Sequence, residues 1–209
     1  MNRNISRAIQ QVVFAAALVT PFAASAESNF QTGAGVLNAT ANVDFTITIP
    51  KVLFLQVGTG TVYANNNAVN LITFTVPAAN VGDGNAVAAT AGSGDLGNGT
   101  VTAMVRGNGG NVTLGASTQG ALGNGTVGET IPWTQITTTP ATLTTATVLP
   151  APTLANGAST NVGLTAVNKV VNQDARWTYA YANSAVVPAG TYGGVNVNNG
   201  RVLYTASLP

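Results

Sequence analysis

The clearest pattern in the chain runs from Leu37 to Ile49. The odd positions Leu37, Ala39, Ala41, Val43, Phe45, Ile47 and Ile49 are apolar, and the even positions Asn38, Thr40, Asn42, Asp44, Thr46 and Thr48 are polar. A period of two places all the apolar side chains on one face of an extended strand. At about 3.3 Å per residue the run reaches roughly 40 Å, whereas most strands hold five or six residues. One small sandwich cannot use all of it, which predicts a division between two subunits. The milder half follows a polar lead from Ser28 to Gly35 and reaches to a neighbour, with Leu37, Ala39, Ala41 and Val43 as the candidate assembly strand. From Val43 to Ile49 the bulkier side chains stay in the home sheet.

Pro50 ends the run, and further short apolar or alternating segments follow. They are Val52 to Val57; Ile72, Phe74 and Val76; Val101, Ala103 and Val105; Val112 and Leu114; Ile131 to Ile136; Val162 to Val167; and Trp177, Tyr179 and Tyr181. Between them lie Asn-Gly steps at Asn98, Asn108, Asn124, Asn156 and Asn199. Asn and Gly tolerate the positive φ of tight reversals. No long stretch keeps a helical period, so the pattern predicts an all-β, antiparallel β-sandwich, Ig-like or jelly-roll in topology. The Ala, Gly, Asn and Asp-rich stretch 78–99 and the threonine-rich stretch 137–147 read as surface loops or irregular edges, not as linkers between domains.

Ahead of all this, Arg3 and Arg7, the apolar stretch Ile9 to Val19 and the small residues Ala24-Ser25-Ala26 predict a secretory signal peptide over 1–26. The apolar stretch is too short to span a bilayer. The expected mature chain is a single domain over 27–209, with 27–42 as an exchangeable N-terminal strand, secreted or displayed on a bacterial surface. Removing the leader leaves five Lys and Arg against six Asp and Glu. No nucleic-acid partner is implied, since that requires clustered cations. Charged residues make up 6% of the chain, a sparse enough surface to permit close self-packing.

Cysteine and histidine are both absent. The fold therefore has no disulfides, and the commonest metal ligands and general bases are missing. Catalysis could only rest on Asp44, Asp83, Asp95, Glu129 and Asp174, which are scattered without a motif, so the expectation is a non-enzyme with no cofactor. Asp83-Gly84-Asn85, and Asp95 with Asn98, resemble pieces of calcium loops, but they are also ordinary turn chemistry. Trp177, Tyr179 and Tyr181 share one strand face; they read first as core and second as a glycan-stacking row.

The segment Asn38 to Ile49 resembles the first strand of bacterial pilin-type secreted sandwiches, including the spore coat protein U-like and chaperone-usher fimbrial subunits. Val187-Pro-Ala-Gly-Thr-Tyr192 followed by Arg201 to Ser207 is similar to their closing hairpin. The absent disulfide and the ending Ser207-Leu208-Pro209 depart from those groups. The resemblance implies a structural subunit of a pilus-like or matrix filament, built from copies of itself by strand addition. The rival reading is a secreted monomeric module that binds host or surface glycans.

Overall fold

A computed structural model of the chain describes residues 28–209. The expected signal peptide lies outside the described residues. By its internal contacts the chain falls into two units, Met1–Ile49 and Pro50–Pro209. In the first, residues 28–49 contain no strand or helix.

The second unit is all-β and antiparallel. Its described strands are β1 (Leu53–Val57), β2 (Val87–Ala88), β3 (Thr100–Gly107), β4 (Val112–Ser117), β5 (Leu122–Gly123), β6 (Thr130–Ile131), β7 (Ile136–Ala141), β8 (Ser159–Leu164), β9 (Val171–Tyr181) and β10 (Leu203–Ser207). In the larger sheet β9 is central. Its residues Arg176 to Thr178 pair with both β3 and β7, so these lie on opposite edges of it, and β2 extends the line of β3. β1 then pairs with β3, Leu55 facing Val105. The smaller sheet has the order β10-β4-β8.

Period-two patterning in β3, β4 and β9 builds the core between the sheets. Val101, Ala103 and Val105 of β3 stand in register with Trp177, Ala175 and Gln173 of β9. From the other sheet Val112, Leu114 and Leu164 join the same buried cluster. This is a β-sandwich, with interdigitating inner faces supplying the apolar burial. Among the described residues no helix is long and apolar enough to cross a membrane.

Two segments differ from the sequence expectation, and a third feature was not foreseen by it. The threonine-rich stretch, expected as a surface loop or irregular edge, forms a regular edge strand, β7, over Ile136–Ala141, because β-branched threonines fit a pleated edge as well as apolar residues do. Ile131 to Ile136 is split by a 3-10 turn at Trp133–Gln135, since Pro132 lacks the N–H a continuous ladder needs. The tight reversal before β9 uses Asn168 and Lys169, at φ 52° and 65°, flanked by a Val167–Val170 bridge. That turn has no glycine to announce it.

Candidate functional site

Among the described residues, the alternating run leaves a series of large apolar side chains uncovered. None of the residues Leu37–Ile49 belongs to a strand. Val43 is 74% exposed, Phe45 87%, Ile47 84% and Ile49 76%. The expectation that Val43 to Ile49 pairs in the home sheet is therefore not met. Pro50 explains the boundary, since it disfavours a continuous ladder and restrains the residue before it. The whole run, including Leu37, Ala39, Ala41 and Val43, forms no strand or helix and is exposed at every position.

Within the second unit, the two sides of the sandwich differ. Between β7 and β8 the chain crosses from one sheet to the other, and Leu149, Pro152 and Leu154 on that crossing are buried. This closes the β7/β8 side. On the opposite side β1 and β10 approach each other across the sheets. There the inward side chains Leu55, Val57, Tyr204 and Ala206 are only partly buried. Among the described strands β1 pairs with β3 alone and β10 with β4 alone. Each therefore has one edge that no other described strand pairs, beside a partly covered core.

The aromatic row of β9 is core. Trp177 is 0% exposed, and Tyr179 and Tyr181 are buried beside it. The Trp177 indole N–H donates to the Leu149 carbonyl at 2.9 Å, and its ring lies 5.4 Å from that of Tyr204. The Tyr179 and Tyr204 hydroxyls share a hydrogen bond at 2.9 Å. Burial pushes the Tyr204 phenol up to about 12. No ring face of Trp177, Tyr179 or Tyr181 is open to a sugar, which corrects the glycan-stacking alternative for these residues. The inward side of a central strand was the stronger reading of the same spacing.

The carboxylates of this unit are each engaged in local structure. Asp83 accepts from the Asn85 backbone N–H at 2.9 Å and from the side chains of Asn80, Asn85 and Asn183, and the Asn80 bond leads in lowering its pKa. Asp95 accepts from the Thr102 N–H at 2.9 Å, and Glu129 from Asn124. Asp174 lies on the outward row of β9 yet is fully buried. The backbone N–H groups of Thr144 and Thr145 each donate to it at 2.9 Å, and both hydroxyls bond it as well. Burial alone would raise this carboxyl, but the threonine hydrogen bonds outweigh it and hold it at about 2. Such groups brace turns and loops; among the described residues no three metal-ligating side chains converge.

What the arrangement offers chemically is therefore an exposed, alternating apolar segment and, in the second unit, a sandwich side with a partly covered core. Comparison with protein-family models, characterised proteins and solved structures finds no match to the chain.

Proposed function

We propose that the protein is a self-assembling structural subunit, secreted to the cell exterior, whose segment Leu37–Ile49 adds as a strand to the β1/β10 side of the next copy. The observation that carries this reading is the exposed apolar row from Val43 to Ile49. Leaving four large apolar side chains in water forgoes about 1.5 to 3 kcal/mol for each. A chain that keeps such a row gains by covering it. The period of two matches what strand addition requires, because main-chain bonds supply affinity while alternate side chains fill the acceptor's core. The free edge of β10 supplies the main-chain partners, and the part-buried Leu55, Val57, Tyr204 and Ala206 supply the apolar floor. The resemblance to pilin-type subunits points the same way, as does the sparse surface charge. The assembly strand in this reading extends beyond Leu37, Ala39, Ala41 and Val43 to include Phe45, Ile47 and Ile49.

Hydrogen exchange read by mass spectrometry at low and high protein concentration tests the mechanism. The amides of residues 37–49 and of β10 should exchange fast when dilute and become protected together as the protein concentrates. Assembly in which residues 37–49 still exchange at the dilute rate would overturn strand addition through this segment.

A further inference from the structure

The Asn-Gly steps at Asn98, Asn108, Asn124, Asn156 and Asn199 carry a chemistry besides turn formation, independent of strand addition. The amide carbon Cγ of an asparagine lies within reach of the next residue's backbone nitrogen, and a glycine there has no Cβ to hinder the approach. Attack needs three things together: a glycine N–H not held in another hydrogen bond, an amide kept beside its own backbone, and open access for water. The fold supplies these unequally.

Three of the steps have an occupied nucleophile. The Gly99 N–H donates to the Ser93 carbonyl at 2.8 Å, and Gly99 is buried. The Gly157 N–H donates to Thr118 Oγ1 at 3.0 Å, and the Gly200 N–H to the Val197 carbonyl at 2.8 Å. At the fourth step the Gly109 N–H makes no hydrogen bond among the described residues, but the Asn108 amide is tied to another segment. Its Oδ1 accepts from the Val52 N–H at 2.7 Å, and its Nδ2 donates to the Pro50 carbonyl at 2.8 Å.

Asn124 differs from all four. The Gly125 N–H makes no hydrogen bond among the described residues, and residues 125–128 are exposed. Asn124 Oδ1 accepts from the Thr126 N–H at 2.9 Å, an Asx turn that folds the side chain back along its own backbone across Gly125. The same bond sets a donor on the oxygen where negative charge builds when Cγ is attacked. Glu129 accepts from Asn124 Nδ2, and its own N–H donates to the Thr126 carbonyl at 3.2 Å. The amide is thereby held in one pose, so less freedom is lost on reaction. Asp83-Gly84 shares the Asx turn, through the Asn85 N–H, but there the Gly84 N–H donates to the Asn183 carbonyl at 3.0 Å and a carboxylate is a poor electrophile.

We propose that Asn124-Gly125 is a self-modification site, at which the folded chain converts Asn124 to aspartate or isoaspartate. The Gly125 nitrogen gives its proton to solvent and bonds to Asn124 Cγ, the Cγ–Nδ2 bond breaks, and ammonia leaves as a five-membered succinimide closes. Water then opens the ring at either carbonyl. The new carboxylate lacks the Nδ2 donor and lies against Glu129, so the loop loses a hydrogen bond and gains a like-charge contact.

Peptide mapping of the aged protein tests it. The full chain, kept dilute so that copies do not assemble, is held at neutral pH and body temperature, then digested with pepsin in acid, where new succinimide forms slowly. Mass spectrometry with electron-transfer fragmentation reads aspartate and isoaspartate at each step, and a melting curve after incubation checks that the chain stayed folded. Asn124 should convert about tenfold faster than any other Asn-Gly step in the folded chain, as orientation of the reacting groups predicts. In urea that lead should vanish. Equal conversion of the five steps in the folded chain, a faster step elsewhere, or an Asn124 that stays intact while the unfolded chain converts would each overturn the proposal.

Discussion

Asp174 shows how a single residue can carry more structure than its place in the pattern suggests. It occupies an outward position on β9, where solvent is expected, and is instead covered by Thr144 and Thr145, whose N–H and hydroxyl groups all serve it. Its pKa is about 2 in the fold against an ordinary value of 3.8. A depressed carboxyl stabilises the fold above its unfolded pKa, and that contribution is lost as pH falls through the folded value. Stability should therefore hold down to about pH 5 and then decline toward pH 2, by about 2 kcal/mol from this group. Asp174→Asn should lower stability at pH 7 by about 2 to 4 kcal/mol, because an amide NH₂ would face donors, and should flatten the acid limb of the melting curve. Urea denaturation between pH 2 and pH 7 reads both effects. Nothing in the sequence around Asp174 distinguishes it from the other carboxylates, because its partners come from a loop about 30 residues away. Trp177 was more legible, since its spacing with Tyr179 and Tyr181 marks one face of a strand. Trp177→Ala should cost about 3 to 5 kcal/mol, as large buried aromatics do, measured by the same denaturation.

At the scale of elements, the strands with strong apolar alternation were readable, and those whose pairing depends on distant partners were not. β3, β4 and β9 carry their inward rows in plain sight. β7 lies in a threonine run that composition alone assigns to a loop or irregular edge, and the Asn168-Lys169 turn carries no Gly to mark it. The run from Leu37 to Ile49 is the reverse case, with a perfect strand signature in a segment that forms no strand, because periodicity reports what a segment can bury and not which chain it buries against. If strand addition is its purpose, a charge on the apolar row should block assembly while a charge on the polar row should not. Ala39→Asp and Phe45→Asp are expected to stop growth with unchanged melting temperature, since a carboxylate is costly only once the strand is docked. Thr46→Asp should assemble nearly as the parent does. Light scattering against protein concentration, beside a melting curve, separates these outcomes.

For the molecule as a whole, the all-β class followed from frequent turn signals and the missing helical period, while the open β1/β10 side did not. That asymmetry arises because Leu149, Pro152 and Leu154 happen to seal one flank of the sandwich, a result of where a crossing runs in space. The alternating run and the open flank suit each other in period and polarity, and their pairing between copies is the central claim. Sedimentation velocity joined to electron microscopy tests it directly, using the parent chain and the double variant Phe45→Asp/Ile47→Asp over a range of concentrations. The account predicts concentration-dependent filaments for the parent and a single folded species of monomer mass for the variant. A parent that stays monomeric at every concentration, or a variant that forms the same filaments, would contradict it.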